Sequence, residues 1–165
     1  MTQKEKDEKW MRVALDEARC AMEQGEHPIA CVLVGGDQEL ARGQTNVARQ
    51  GSIVCHSELI ALREAGWDIF TSERPLTIYT TLESCLMCIG AAMQCEVDEI
   101  VYAMPAKPDG GSKYVPKINE MGDKAPIIRS RVLYEEAVAL MKQDLVKNPD
   151  HPGIAYAKAL LDGID

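Results

Sequence analysis

Hydrophobic and polar positions follow two different periods along this chain. Between residues 7 and 24, apolar side chains recur at helical spacing, which predicts an amphipathic helix that ends at Gly25. Residues 29–34 are almost entirely apolar, residues 35–37 read Gly-Gly-Asp, and residues 39–44 follow as a second extended segment. This order predicts two strands joined by a tight turn.

The same patterns predict the remaining elements. Helices are expected over residues 57–65, 84–94, 135–147 and 153–161, and strands over residues 76–81, 99–103 and 132–134. Residues 105–130 are rich in Pro, Gly and Lys, and we expect an irregular loop there. Strands that alternate with helices indicate an α/β fold in which helices cover the faces of a sheet.

The length of 165 residues favours a single domain over residues 1–165. Two prolines interrupt the last helical pattern, so residues 148–165 are expected to form a helical tail that can cap an active site. His27 and His151 each stand beside a proline, and we expect both at the surface.

Composition narrows the functional classes. The formal net charge of -8 argues against a broad electrostatic grip on a nucleic-acid backbone, although a local basic rim is compatible with it. The chain has no run of about 18 apolar residues, and its charged N-terminus lacks an apolar signal region. We therefore expect a cytoplasmic protein without membrane partners, whose six cysteines serve metal ligation or burial.

Two short motifs carry most of the chemistry. His56-Ser57-Glu58 supplies an imidazole and a carboxylate, and Cys85-Leu86-Met87-Cys88 supplies two thiols. One imidazole and two thiolates can hold a zinc ion and leave its fourth position free for water, whose pKa the ion lowers. Glu58 can then move protons between that water, a ring nitrogen and a leaving amine.

Two non-catalytic alternatives exist for these motifs. A structural zinc site would need a fourth ligand, and Cys55 is the nearest candidate, but it adjoins His56 and neighbouring side chains rarely converge on one metal. A non-catalytic protein that keeps zinc for stability alone would be expected to lose Glu58.

The two motifs resemble the zinc site of the cytidine deaminase-like superfamily, whose pattern is H-x-E followed by P-C-x-x-C. Other segments extend the resemblance: residues 28–34 are similar to the first strand of the family, residues 81–83 precede the cysteine pair as in many members, and residues 90–93 resemble the branch of tRNA adenosine and guanine deaminases.

This resemblance implies a fold, a cofactor and a set of site residues. The fold is an α-β-α three-layer sandwich with a mixed five-stranded sheet, in a chain that forms homodimers. One zinc ion per chain would be held by His56, Cys85 and Cys88, with Glu58 as the catalytic proton shuttle. Substrate contacts would come from Asn46, Ala30, Ser57 and Glu83.

The sequence departs from the family pattern at three positions. Ser84 replaces the proline before the first cysteine, and Ser57 replaces a more common alanine. Pro105 stands where members that edit tRNA adenosine often carry an aspartate, two residues before the lysine that aligns with Lys107.

Two substrate classes are compatible with the motifs. The acidic balance, Pro105 and the tail favour a small free nucleobase or related aminated heterocycle of the guanine, cytosine or aminotriazine type. The alternative is a tRNA-specific adenosine deaminase that makes inosine, which residues 90–93 favour. A cluster of basic residues could serve that alternative as a phosphate rim: Lys107, Lys113, Lys117, Lys124, Arg129 and Arg131.

Overall fold

The computed structural model describes residues 1–164, so Asp165, the last residue of the expected tail, lies outside the described residues. The helices are α1 (Gln3–Glu23), α2 (Val47–Gln50), α3 (Ser57–Ala65), α4 (Asp68–Thr71), α5 (Leu86–Gln94), α6 (Val115–Glu120), α7 (Tyr134–Lys147) and α8 (Ile154–Leu161). The strands are β1 (Ala30–Gly35), β2 (Gln38–Gln44), β3 (Leu76–Leu82), β4 (Glu99–Met104) and β5 (Ile127–Arg129). Among residues 1–164, every helix is too short or too polar to span a bilayer.

The five strands form one mixed sheet in the order β2-β1-β3-β4-β5. The pairs β1-β2 and β1-β3 are antiparallel, whereas β3-β4 and β4-β5 are parallel. The parallel connections carry α5 and the segment with α6 as crossovers. The mixed five-stranded sheet expected from the sequence is therefore confirmed.

Helices cover both faces of this sheet because its central strands bury side chains on both sides. In β1, Val32 packs in one apolar cluster with Leu15 of α1, and Leu33 packs in a second cluster with Leu62 of α3 and Ile89 of α5. Helices α7 and α8 also contribute to the first cluster. The expected three-layer sandwich is confirmed.

The first helix begins four residues earlier than the apolar period suggests. Thr2 accepts a hydrogen bond from the backbone N–H of Glu5 through Oγ1, and the Glu5 carboxylate accepts one from the N–H of Thr2 at 2.6 Å. This capping box satisfies two backbone donors that would otherwise lack partners, so α1 begins at Gln3.

The expectation of an irregular loop over residues 105–130 is wrong in part. The segment contains a short 3-10 helix (Ser112–Tyr114), α6 and β5. The fifth strand therefore lies at Ile127–Arg129, and residues 132–134 are not extended, because Leu133 has a positive φ of 54° and precedes α7.

Ion pairs to distant residues explain the position of β5. Arg129 donates through Nε to Asp7 of α1 at 2.8 Å, and its second nitrogen contacts Glu99 of β4 at 2.9 Å. Asp7 is buried and also accepts a hydrogen bond from the Tyr79 hydroxyl. These partners hold Arg129 at the outer end of the sheet.

The absence of a side chain at Gly43 allows β2 to approach the start of α3. A Cβ atom at this position would collide with the carbonyl oxygen of Ser57, in the first turn of that helix. The contact fixes the position of α3, and with it the His56-Ser57-Glu58 motif, relative to the sheet.

We expect the Gly43→Ala variant to be destabilised by roughly 1–3 kcal/mol, because the added methyl group overpacks rigid backbone. Urea denaturation measures the change. Gly90→Ala is the matched control, since Gly90 lies in α5 with nothing near the added atom and alanine favours a helix by about 0.5–1 kcal/mol. Equal stabilities of the Gly43→Ala variant and the unchanged protein would show that the contact does not constrain α3.

Candidate active site and metal centre

Three potential ligand atoms from the two sequence motifs lie close together where α3 and α5 begin. His56 Nδ1 lies 3.6 Å from the Cys85 sulfur and 3.5 Å from the Cys88 sulfur, and the two sulfurs are 3.7 Å apart. Tetrahedral zinc with ordinary bond lengths would separate two sulfurs by about 3.8 Å and a nitrogen from a sulfur by about 3.5 Å. The donor set therefore fits a zinc ion both in chemistry and in spacing.

Two helix starts present these ligands to each other. His56 is the N-cap residue of α3, Cys85 is the N-cap residue of α5, and Cys88 lies in the first turn of α5. Free backbone N–H groups and the positive end of the helix dipole favour anions at such positions. Both thiolates of a metal site would therefore be stabilised there.

The protonation of the two cysteines is coupled. Hydrogen bonding from the Cys88 thiol lowers the pKa of Cys85 to about 4, and the same pairing together with burial raises the pKa of Cys88. The hydrogen bond to Cys85 also raises the pKa of His56. The three side chains are joined by hydrogen bonds, and a divalent cation that bound there would displace their protons, because metal ligands must be deprotonated.

A fourth protein ligand does not join this cluster within residues 1–164. Cys55, the candidate for a closed structural site, is not part of the group, and its carbonyl oxygen accepts a hydrogen bond from Asn46. The arrangement matches a zinc site with an open position.

Glu58 lies in the first turn of α3 and is almost fully buried, at 4% exposure. Its Oε1 accepts a hydrogen bond from the Ser84 hydroxyl at 2.8 Å, and its Oε2 accepts one from the Ser57 hydroxyl at 3.0 Å. The Ser57 hydroxyl, expected to contact substrate, is thus directed to the carboxylate of Glu58.

A cavity of about 230 Å³ adjoins the ligand cluster. It is lined by Glu26, His27, Ile29, Thr45, Val47, Ile53, His56, Ser57, Glu58, Leu82, Glu83, Cys85, Asp109, His151, Gly153 and Tyr156. Four of these side chains are carboxylic acids and none is lysine or arginine. An apolar pocket with a few convergent polar groups is typical of a site for a small ligand.

The C-terminal segment contributes three of the lining residues, His151, Gly153 and Tyr156. The Tyr156 hydroxyl donates to Asp109 Oδ1 at 2.8 Å, which joins α8 to the loop after β4. The segment expected to form a tail thus forms part of the cavity wall.

The expectation that His27 and His151 lie at the surface is wrong. Their exposures are 5% and 6%, and the two rings stack with centroids 3.6 Å apart. His27 bonds Asp144 of α7 at 2.6 Å, and His151 Nδ1 accepts the N–H of Gly153 at 2.9 Å. The sequence gives little indication that His27 is buried, because its partner Asp144 is more than 100 positions away.

Glu83 lines the cavity but its carboxylate is occupied by the loop that follows β4. Oε2 accepts the N–H of Ala106 at 2.9 Å, and Oε1 accepts the N–H and the hydroxyl of Ser112. A Cβ atom at Gly110 would collide with this carboxylate, and Gly110 forms a β-bridge with Cys85. Glu83 therefore braces the loop that holds a ligand residue.

Two expected substrate-binding residues are not among those lining the cavity. Ala30 is fully buried and its N–H donates to the Thr81 hydroxyl at 3.1 Å, while its neighbour Ile29 reaches the cavity. Asn46 lies between the lining residues Thr45 and Val47, and its Oδ1 is buried with no hydrogen-bond partner among residues 1–164. Such an orphaned acceptor is costly unless another group satisfies it.

The basic residues considered as a phosphate rim do not line the cavity. Lys107 donates to the carbonyl oxygens of Asp162 and Gly163, and Lys117 pairs with Glu120. Arg129 is paired within the sheet, as described above. Pro105 lines a separate cavity together with Lys107.

Comparisons with known proteins agree with this geometry. Residues 4–104 match the family model described as the cytidine and deoxycytidylate deaminase zinc-binding region. The chain belongs to this family, and it is a zinc-dependent hydrolytic deaminase. The resemblance seen in the sequence and the zinc cofactor that it implied are confirmed.

The relatives and solved structures similar to this chain carry names that refer to tRNA or to guanine. A tRNA-specific adenosine deaminase of Buchnera aphidicola subsp. Schizaphis graminum is 35% identical over 114 residues, which cover 68% of this chain and 76% of that protein. A structure from a study of A-to-I editing by tRNA:A34 deaminases has a TM-score of 0.69 at 27% identity, covering 79% of this chain and 97% of the other. A guanine deaminase from Nitrosomonas europaea has a TM-score of 0.72 at 18% identity and 84% coverage of both chains, a likeness of fold alone.

We expect Cys88→Ala to lose bound zinc, because the variant leaves only two of the three ligands that join the starts of α3 and α5. Metal content after dialysis and the thermal unfolding midpoint measure this loss. Cys95→Ala is the control, since Cys95 follows α5 outside the cluster. Full zinc content in the Cys88→Ala protein would contradict the ligand assignment.

We expect α8 to become less protected in acid. Burial and the charge of His27 lower the pKa of His151, whereas a histidine in an unfolded tail titrates near 6.5. The unfolded tail then binds more protons, so stability falls as the pH drops below about 6.5. Hydrogen exchange of the α8 amides at about pH 7.5 and about pH 5.5 measures this effect.

The control for this experiment is His151→Asn, whose side chain can accept the Gly153 N–H in an Asx turn and does not titrate. Its acid sensitivity should be smaller. The same sensitivity in both proteins would assign the effect to other groups.

Proposed function

We propose that this enzyme deaminates a small free nucleobase or related aminated heterocycle, such as guanine, cytosine or an aminotriazine. The observation that carries the proposal is that the C-terminal segment forms part of the cavity wall through His151, Gly153 and Tyr156. A nucleotide within a polymer needs an opening through which its backbone can leave the site. A wall that is tied to Asp109 by the Tyr156 hydroxyl favours a ligand that fits inside.

The charge of the cavity supports the same proposal. Its lining contains carboxylates and no lysine or arginine, and Lys107, Lys117 and Arg129 bind acceptors within the chain itself. Phosphate groups are held by cationic side chains.

In this proposal His56, Cys85 and Cys88 hold the zinc ion, and Glu58 is the proton shuttle. Bound zinc would polarise a water molecule for attack on the ring carbon that bears the amine. Glu58 would accept the two protons of the attacking water in turn, passing the first to the ring nitrogen and the second to the amine, which leaves as ammonia. Burial of Glu58 excludes bulk water from these transfers.

A second candidate function is deamination of adenosine in tRNA. It is favoured by a specific observation, the similarity to a tRNA-specific adenosine deaminase over two thirds of this chain. The sequence identity to proteins named for tRNA deamination is higher than that to the guanine deaminase, and this favours the second candidate. The cavity wall and the charges of the cavity favour the first candidate. The homodimer expected from the resemblance stays a prediction under either function.

A direct comparison of substrates separates the two candidates. The zinc-loaded protein is incubated with guanine, cytosine and an aminotriazine, and in parallel with a tRNA anticodon stem-loop that carries a wobble adenosine. Ammonia release from one of the bases is expected. Inosine in the stem-loop, with no ammonia from any base, would replace the first candidate by the second.

We expect Tyr156→Phe to lower kcat/KM for a small base by roughly tenfold. The variant removes the hydrogen bond to the Asp109 carboxylate that ties α8 to the rest of the cavity wall. Tyr114→Phe is the control, since Tyr114 is exposed and does not line the cavity. If the natural substrate is a polymer, loosening the wall should instead leave its turnover unchanged or raise it.

We expect Glu58→Gln to abolish turnover while zinc stays bound, because glutamine cannot carry a proton between water and the leaving amine. Ammonia release and metal content are measured on the same preparation. Glu64→Gln is the control on the same helix, since Glu64 is exposed and its carboxylate bonds only to Arg63 within residues 1–164. Activity retained in Glu58→Gln would exclude the shuttle role.

A further inference from the structure

Both oxygens of the Glu58 carboxylate are held by buried hydroxyl groups. Ser84 donates to Oε1 at 2.8 Å and Ser57 donates to Oε2 at 3.0 Å. The exposures of the two serines are 2% and 0%, so water does not compete for these bonds. A carboxylate held at both oxygens cannot rotate freely about its last side-chain torsion.

Ser84 is itself fixed by the chain around it. It stands directly before Cys85, and its carbonyl oxygen accepts the N–H of Gly111 at 2.9 Å. Its hydroxyl therefore reaches from the α5 side of the site to a carboxylate on the α3 side. Ser57 holds the same carboxylate from within α3.

These serines are also the two departures from the family pattern at the motifs themselves. A proline in place of Ser84 and an alanine in place of Ser57 would supply no hydroxyl to Glu58. The two replacements thus place donors on the two oxygens of one side chain, an arrangement that the family pattern does not require.

We propose that Ser84, together with Ser57, is a positioning residue that holds the Glu58 carboxylate in the orientation from which it transfers protons. This inference rests on the proposed shuttle role of Glu58. Ordering the carboxylate before substrate binds lowers the cost of reaching the reactive geometry, and a misplacement of about 1 Å can cost about a hundredfold in rate. Neither serine needs to contact the substrate.

The first test is kinetic and uses the zinc-loaded enzyme with the substrate found in the panel. Ser84→Ala should lower kcat about tenfold, because one hydrogen bond to the Glu58 carboxylate is lost. KM should change by less than about twofold, because Ser84 does not line the cavity. The double variant Ser57→Ala/Ser84→Ala should lose more. Unchanged kcat in the double variant would overturn the inference.

A matched control removes a buried hydroxyl that does not contact Glu58. Thr80 donates to the carbonyl oxygen of Leu82 at 3.0 Å and is fully buried in β3. Thr80→Val should reduce stability without changing kcat. If it lowers kcat as much as Ser84→Ala does, the effect is a general loss of stability and the positioning role is excluded.

The second test needs no substrate. Crystal structures of the zinc-loaded protein and of the double variant should show one Glu58 rotamer in the first and two or more, or a rotated carboxylate, in the second. An identical single rotamer would overturn the inference even if Glu58→Gln is inactive. Activity of Glu58→Gln would instead remove the shuttle role on which the inference rests, while the rotamer result would still report what the serines hold.

Discussion

The first turns of α3 and α5 lie close enough for His56, Cys85 and Cys88 to form one cluster, and contacts on both sides of the cluster maintain this arrangement. Gly43 allows the sheet to approach the start of α3. On the other side, the bridge between Cys85 and Gly110 joins the start of α5 to the loop after β4. Zinc would add its binding energy to a geometry that packing has already set.

The sequence predicted the elements that bring His56, Cys85 and Cys88 together, because the signals for those elements are local. Each of the two motifs, and each of the elements α3, β3 and α5, is shorter than ten residues. The candidate ligands lie at the starts of helices, which the hydrophobic patterns of those helices indicate. What the motifs could not supply was the set of bonds between them. The bonds of Glu83 to Ala106 and Ser112 depend on the path of a loop that has little periodicity.

The wrong predictions share a physical cause, which is dependence on partners far away in sequence. The fifth strand is placed by Arg129 through Asp7, 122 positions earlier. His27 is buried because Asp144 accepts its hydrogen bond across 117 positions. Flanking prolines correctly indicate breaks in regular structure, but a break near the centre of a fold can be buried when distant groups satisfy its polar atoms.

The carboxylates around the cavity differ in the donors that they receive, and the difference separates structural from chemical roles. Glu26 accepts the backbone N–H groups of Ala48 and Arg49, and Glu83 also receives backbone N–H groups. A backbone N–H can only donate a hydrogen bond. Within residues 1–164, the Glu58 carboxylate receives hydrogen bonds only from the hydroxyls of Ser57 and Ser84, and a hydroxyl can turn to accept a hydrogen bond as readily as it donates one. Serine on both oxygens can therefore hold the carboxyl group in place whether or not it carries a proton, which the proposed proton shuttle requires.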